Sequence, residues 1–408
     1  MNYIFVSPNY PERYFKFVES LRKRGVTVLG IGDTPWNELN PRLKKSITEY
    51  YWLPNLANFE EMLKACRFFE RKYGKIDYIE SNNEWWLFQD ARLRKELNVR
   101  TGFYPEEMEK IKAKSAMKSA FNEANVKTMR YVLVNGPEDL DRVKEFVDQV
   151  GWPLFAKPNV GVGANDSHAI LNEKELDSFL SQPLPETYII EEYIDGTIIS
   201  FDGICDSHSD VVFCTSDHFP TPVAEVVNEQ RDEYYYNNPF SLPFQEIDGK
   251  AFEEAGRRVV KAFGIKQRFF HIEFFVLQSD KEGFAKKGEF VALECNMRPA
   301  GGYTPDLINF ANSVSCYEIY ADVITQDKNC QDLGKEKYYA FSVSRRDQYD
   351  YLHSQEEIFN RFGSVLCAHG VYEKHMAEAM GNDYFYAKFK TFEEGKEFDK
   401  YVRAKIEK

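Results

Sequence analysis

The sequence contains no long apolar run, since no stretch approaches the ~18 residues that a membrane-spanning helix needs. Its seven cysteines show neither CxxC pairs nor metal-ligand spacing, a distribution that suits a reducing cytosol. The segment Met1–Pro8 has a short apolar run without a basic leader, so it predicts a first strand and not a signal peptide. We therefore expect a cytoplasmic protein that makes no contact with a membrane.

Positive charge is also scarce, with 52 Lys and Arg against 65 Asp and Glu and a net charge of −13. This balance argues against a dedicated nucleic-acid-binding surface. A chain of 408 residues is too long for one small core, so two or three domains are expected. Apolar residues make up 43% and charged residues 29%, as in ordinary globular proteins.

The first part of the chain alternates strand and helix signals but lacks a dinucleotide-binding fingerprint. Strand Tyr3–Val6, helix Glu12–Arg24 and strand Val26–Ile31 predict a parallel sheet with helices on its faces. We place this α/β unit at 1–104. The turn at Ser7–Pro11 has no Gly-x-Gly-x-x-Gly, which argues against a nicotinamide-binding domain.

A second α/β unit and an α+β tail follow. Pro105 opens a helix whose first turn is acidic. The next elements of the unit are a helix, a strand, a second helix and a second strand, at Lys114–Ala124, Tyr131–Val134, Pro137–Val150 and Leu154–Lys157. A polar segment at 325–336 separates the tail, 337–408, where short strands alternate with helical runs. We predict a protein that combines α/β and α+β architecture.

The segment Phe290–Gly302 reads as a buried strand with polar residues at its end. Because residues two apart in a strand point to the same face, Glu294, Asn296 and Arg298 form a row at roughly 7 Å per step. Carboxylate and amide oxygens beside a guanidinium suit Mg²⁺ shared with a substrate phosphate. The alternative is a charged strand end that enters solvent.

A second strand, Phe269–Leu277, carries His271 and Glu273 on one face. The charged loop after it leads directly into the strand of Glu294, so the two strands predict an antiparallel hairpin. If Glu273 lies beside Glu294, two carboxylates face one point, which is costly unless a cation sits between them. The alternative is a buried His and Glu that bond to their neighbours.

A lysine and two glycines follow a short apolar strand in the segment Trp152–Asp166. Lys157 would add a mobile positive charge, and Gly161 and Gly163 would let backbone N–H groups approach a phosphate. An ordinary hairpin is the alternative interpretation. The segment is not a Walker loop, because Gly-Lys-Ser/Thr is absent.

Two further segments could complete a nucleotide site. In Tyr188–Thr197 an apolar strand meets Glu191 and Glu192. The segment as a whole could offer a purine an acceptor for its amino group, backbone donors and acceptors along its edge, and flat apolar walls. An acidic strand end before a turn is the alternative. Lys114, in the predicted helix Ile111–Phe121, could reach a phosphate, unless it belongs to a solvated basic face.

Taken in order, these segments resemble the ATP-grasp superfamily, in its carboxylate–amine ligase and carbamoyl-phosphate-synthase-like branch. The resemblance covers about residues 105–325, and its order and spacing are more specific than any one segment except the last. It implies a Rossmann-like pre-ATP-grasp domain at 1–104. It also implies ATP-grasp subdomains at 105–190 and 191–326, before the small α+β region at 337–408.

The resemblance implies a role for each candidate residue. The residues that would bind the ATP phosphates are Lys114, Lys157, Gly161 and Gly163. Those that would hold adenine are Glu191, by its side chain, and Glu192 and Ile194, by their backbone. The ligands implied for Mg²⁺ or Mn²⁺ are Glu273, Glu294 and Asn296. Arg298 would steady the transferred phosphoryl group or a substrate carboxylate. If Glu273 pairs with Glu294, an antiparallel count places His271 near Asn296, beside the acylphosphate, where we expect it to orient groups or handle protons.

The implied function is an ATP- and Mg²⁺-dependent ligase that joins a small, amino-acid-like acid to an amine through an acylphosphate. Two alternatives remain open, namely a carbamoyl-phosphate-synthase-like or carboxylase-type member acting on bicarbonate, and a nucleotide-binding regulatory protein. The last is motivated by departures from the family pattern at Ala164 and Ile198. The expected partners are small-molecule substrates, with a homodimer left open.

Overall fold

The computed structural model describes residues 1–161, 166–221, 226, 229–374 and 376–406. Within these residues the strands form three sheets, two of four strands and one of eight. The expected mixture of α/β and α+β architecture is confirmed.

The first sheet is parallel and belongs to the amino-terminal unit. Its strands are β1 (Asn2–Val6), β2 (Thr27–Gly32), β3 (Glu49–Trp52) and β4 (Tyr78–Glu80), in the order β3-β2-β1-β4. Its helices are Phe15–Lys23, Pro41–Ser46, Phe59–Tyr73 and Leu87–Glu96. The sequence predicted the alternation, since β1, β2 and β4 are almost wholly buried and read as apolar runs. It did not indicate β3.

The second sheet is antiparallel and has the order β5-β8-β6-β7. Its strands are β5 (Tyr131–Val134), β6 (Leu154–Pro158), β7 (His168–Ile170) and β8 (Tyr188–Glu192), and its helices are Glu109–Lys112, Lys114–Glu123, Leu140–Val150 and Glu173–Phe179. The predicted continuous helix Ile111–Phe121 is wrong, because Ala113 is extended (φ −90°, ψ 117°) and bridges to Val160. That break makes Lys114 the first residue of a new helix.

The third sheet has eight strands in the order β13-β12-β9-β10-β11-β14-β16-β15. The strands are β9 (Gly196–Cys205), β10 (Val211–Phe219), β11 (Tyr234–Asn238), β12 (Arg268–Leu277), β13 (Phe290–Asn296), β14 (Tyr339–Arg345), β15 (Leu366–Val371) and β16 (Asp383–Phe389). The helices are Gly249–Phe263, Thr304–Asn312, Cys316–Gln326, Gln355–Phe362, Ala377–Met380 and Phe392–Val402. Strands of the tail therefore continue the sheet that carries the candidate site.

Apolar clusters pack against both faces of this large sheet, and polar residues of β12 share one face with Phe269, which packs in the second cluster. Helices Lys114–Glu123 and Gly249–Phe263 cover one face, where Phe252 of the second helix and Phe270 of β12 belong to the same core cluster. Gly256 is required there, because a Cβ at this position would lie 2.3 Å from the Phe201 ring. On β12 the alternate residues His271 and Glu273 point to the opposite face.

Candidate active site

The hairpin formed by β12 and β13 brings the predicted polar row together. Glu273 lies opposite Glu294, and His271 lies opposite Asn296. The register shifts just after Glu273, where a bulge separates it from Phe274. The antiparallel pairing expected from the sequence is therefore present, and the two carboxylates are cross-strand neighbours.

His271 is buried between two carboxylates. Its Nδ1 is 2.7 Å from Asp202 Oδ1, and its Nε2 is 2.9 Å from Glu273 Oε1. Burial would lower the pKa of His271, but Asp202 and Glu273 raise it to about 10. The imidazolium therefore ties Glu273 to the neighbouring strand β9, where Asp202 lies directly opposite His271. The sequence suggested no role for Asp202 beside this histidine.

The two cross-strand carboxylates differ in their electrostatics. Burial would raise the pKa of Glu273, but His271, followed by Arg298 and Lys157, lowers it. Burial raises the pKa of Glu294, and Glu273 adds to that rise against the opposing effect of Lys114. Lys114 Nζ is 3.7 Å from Glu294 Oε1. Glu294 thus has a weaker counter-charge than Glu273.

Arg298 follows the hairpin and turns toward the amino-terminal unit. Its Nε is 3.5 Å from Glu84 Oε2, and its Nη1 donates to the Pro299 carbonyl at 2.9 Å. Glu84 follows β4, at the carboxyl edge of the parallel sheet, and its carboxylate also accepts from Lys112. No motif marks Glu84 in the sequence, and only the fold places it beside Arg298.

On the second sheet, Lys157 and Glu191 form a buried ion pair. Lys157 Nζ is 2.7 Å from Glu191 Oε2, and Lys118 Nζ is 2.6 Å from Glu191 Oε1. Burial would raise the pKa of Glu191, but the two lysines lower it to about 2. Lys118 is the main site residue that the sequence reasoning missed, although it follows Lys114 by one helical turn.

The start of the helix at Lys114 is fixed by the loop after Lys157. The backbone N–H of Lys114 donates to the Asn159 carbonyl at 2.8 Å, and that of Ser115 donates to Asn159 Oδ1 at 2.9 Å. Lys114 Nζ also lies 3.4 Å from the Gly161 carbonyl. Gly163 and Ala164 lie outside the described residues.

The predicted adenine residues occupy two faces of β8. Glu191 faces the lysines, whereas Glu192 bonds Arg130 at 2.6 Å on the other face and is buried. The Glu192 N–H donates to the Arg130 carbonyl at 3.2 Å. Ile194 is buried just beyond the strand, beside Met129 and Leu277. The candidate residues thus fall into two groups, which meet where Lys114 approaches Glu294.

Comparison with known proteins bears on the fold of the chain. No family model matches the chain. A segment of 210 residues is 21% identical to the mitochondrial carbamoyl-phosphate synthase [ammonia] of Rattus norvegicus, covering 50% of this chain. The matched segment spans 12% of that relative's length.

Solved structures match nearly the whole chain. An L-amino acid ligase from Bacillus licheniformis is 15% identical, with a TM-score of 0.69 over 98% of this chain and 97% of that one. The biotin carboxylase domain dimer of the Hydrogenobacter thermophilus 2-oxoglutarate carboxylase, in complex with MgADP, ADP and bicarbonate, is 14% identical. Its TM-score is 0.67 over 96% of this chain and 87% of that one. The chain has the ATP-grasp fold.

The β12–β13 hairpin offers oxygen donors of the kind that Mg²⁺ takes. In the described part of the chain, no group of three or more His, Cys, Asp or Glu side chains is placed to hold a metal. Glu273 and Glu294 supply two carboxylates, and Asn296 adds an amide oxygen in the same row. Mg²⁺ commonly takes one or two protein carboxylates and fills its shell with water and phosphate oxygens.

None of the described helices is long and apolar enough to span a bilayer.

Proposed function

We propose that this protein is an ATP- and Mg²⁺-dependent carboxylate–amine ligase that acts on a small, amino-acid-like acid. The observation that carries the proposal is the hairpin pairing of Glu273 with Glu294, together with Lys114 at 3.7 Å from Glu294. The two carboxylates repel each other unless a cation lies between them, and the neighbouring lysine can bind an anion. A metal-bound nucleoside triphosphate satisfies both requirements.

The reaction joins the two substrates in two steps. A carboxylate oxygen of the acid attacks the γ-phosphorus, the bond to the bridging oxygen breaks, and ADP leaves. The amine nitrogen then attacks the acyl carbon, the bond to phosphate breaks, and the amine gives up a proton. Mg²⁺ would be held by Glu273, Glu294 and Asn296 and would neutralise phosphate charge. In this proposal the lysines bind the nucleotide and Arg298 binds the acid.

Each side chain has a part in that chemistry. Lys114 and Lys157 neutralise phosphate oxygens, which lowers the cost of bringing an anionic carboxylate to the γ-phosphorus. Arg298 can hold a carboxylate or the transferred phosphoryl group through its planar donors. His271 keeps Glu273 ionised and oriented through the bond from Nε2. Gly163, Glu192 and Ile194 keep their expected nucleotide roles in this proposal.

The test is to incubate the protein with ATP, Mg²⁺ and pools of amino acids and small acids. Turnover is measured as the phosphate that is released. Release that requires both an acid and an amine supports the ligase. Bicarbonate-dependent release would support a carboxylase-type reaction, which the likeness to the biotin carboxylase domain makes the second candidate. Tight ATP binding without release in any pool would contradict both and leave a nucleotide-binding regulatory protein.

A further inference from the structure

Lys118 is a buried lysine that the proposed chemistry leaves without a role. It lies on the helix Lys114–Glu123, one turn after Lys114, so the two side chains share a helix face. The Lys118 side chain is only 5% exposed. Its Nζ donates to Glu191 Oε1 at 2.6 Å and to the Met129 carbonyl at 3.1 Å. A buried ammonium needs such partners, because burial without them is costly.

Glu191 is shared between two lysines, one on each carboxylate oxygen. Lys118 takes Oε1 and Lys157 takes Oε2, and the Glu191 side chain is 3% exposed. Lys118, Lys157 and Glu191 together carry one net positive charge, from two ammonium groups and one carboxylate. A pair of Glu191 and Lys157 alone would have none. The difference matters because charge acts strongly where water is excluded.

We infer that Lys118 and Glu191 are positioning residues for Lys157, and that Glu191 does not select adenine through its amino group. The inference rests on the proposed function, in which Lys157 holds a nucleotide phosphate. Lys118 supplies the second charge that keeps Lys157 attractive to phosphate while Glu191 fixes its place. Recognition of the base then falls to the backbone around Ile194 and not to the Glu191 carboxylate.

The electrostatics of the two lysines agree with this division. Burial lowers the pKa of Lys118 even though Glu191 opposes it. Burial would also lower the pKa of Lys157, but Glu191, with Glu294 and Glu273, raises it. Lys157 is therefore held in its charged form by both halves of the site. Lys118 shares Glu191 with it and lies close enough that Lys157 also lowers the pKa of Lys118.

The decisive experiment measures nucleotide affinity of the full chain by calorimetry with Mg²⁺, using ADP and inosine diphosphate. Inosine diphosphate carries an oxo group where ADP has its amino group. Lys118→Met keeps the length of the side chain but removes its charge. We expect it to weaken both nucleotides by roughly tenfold, with their affinity ratio unchanged. Lys118→Arg, which restores the charge, should recover most of the loss.

A matched control is Lys144→Met, in the same part of the chain. Lys144 pairs with Glu173 at 2.7 Å on the surface, so its replacement should leave both affinities unchanged. Glu191→Gln should weaken ADP and inosine diphosphate by equal factors. Near-ultraviolet circular dichroism reports whether each variant keeps its fold, and Lys118→Met decides alone if Glu191→Gln does not fold.

Two outcomes overturn the inference while leaving the proposed function intact. One is wild-type affinity in Lys118→Met. The other is a Glu191→Gln variant that loses affinity for ADP alone, which would restore the adenine contact. Wild-type protein that binds neither nucleotide would overturn the proposed function and this inference with it.

Discussion

The two halves of the candidate site carry opposite charge imbalances. In the first, which we term the carboxylate end, Glu273 and Glu294 face each other across a hairpin. In the second, the lysine end, Lys118 and Lys157 share Glu191. The carboxylate end therefore brings two carboxylates together, and the lysine end sets two lysines against one carboxylate. A metal–phosphate ligand would balance both ends, and the first two predictions below each change one end and leave the other intact.

The largest effect is expected at the carboxylate end. Glu294→Gln keeps the shape of the side chain but removes the charge that would hold Mg²⁺. We expect ATP turnover to fall about 10²–10³-fold, the range seen when one electrostatic contact to a transition state is lost. Thermal stability should not fall, because the variant removes a carboxylate that lies beside Glu273. Phosphate release and a thermal melt measure the two effects.

The matched control for that variant is Glu289→Gln, on the loop just before β13. Glu289 is about half exposed and pairs with Lys127 at 2.9 Å. Its replacement should leave turnover unchanged. If both variants retain wild-type turnover, Glu294 is not a metal ligand and the carboxylate end has another role.

The lysine end should give the protein a sensitivity to acid. The pKa of Glu191 lies at about 2 in the folded chain, against an ordinary value of 4.5. A lowered carboxyl pKa contributes stability above the ordinary value, and that stability is lost as pH falls from 4.5 toward 2. The difference corresponds to about 3 kcal/mol. Urea unfolding across this window should show a shallower decline in Lys118→Met, in which one of the two cations is missing.

An equal decline in Lys118→Met and wild type would show that Lys118 does not lower the Glu191 pKa. Many other carboxyl groups titrate in the same window. Those groups are present in both proteins, so the difference between their declines in the free energy of unfolding reports on Glu191.

The sequence predicted most of the fold because strand and helix signals are strong where segments are buried. Strand β5 has the predicted bounds, and β6 runs one residue beyond its predicted end at Lys157. The break at Ala113 was missed because its cause lies 47 residues away in the chain, in the bridge to Val160. The joining of the tail to the eight-stranded sheet was missed for a similar reason, since strand order depends on contacts that no local pattern records. The proposed division into four segments remains a prediction.

The carboxylate end was predictable because a strand has a fixed period. His271 and Glu273 lie on the same face of β12. Counting residues along the antiparallel hairpin places Asn296 opposite His271 and Glu294 opposite Glu273. The lysine end was predicted only in part, because its third member comes from a helix that packs across the sheet. Nothing local distinguishes Lys118 from a solvated lysine. The same holds for Glu84, which reaches Arg298 from another unit.

A smaller effect should appear when ligand joins the two ends. MgADP at a 100-fold excess over its dissociation constant should stabilise the wild-type protein by about 2.7 kcal/mol through mass action. In Glu294→Gln, the stabilisation that depends on Mg²⁺ should be lost. The stabilisation that ADP gives in the presence of a chelator should remain. Thermal melts with ADP, with and without Mg²⁺, measure the two parts. Equal stabilisation in both conditions for the wild type would mean that Mg²⁺ adds nothing to ADP binding and would contradict a ligand shared by the two ends.

The smallest effect is expected away from both ends, at an ion pair that water screens. Lys144 pairs with Glu173 at 2.7 Å, but the two side chains are 41% and 67% exposed. Such pairs contribute about 0.5 kcal/mol or less. Lys144→Met should therefore change the free energy of unfolding by no more than this, although its N–O distance equals that of Lys157 and Glu191. A loss of several kcal/mol in Lys144→Met would mean that distance, and not burial, sets the strength of these pairs.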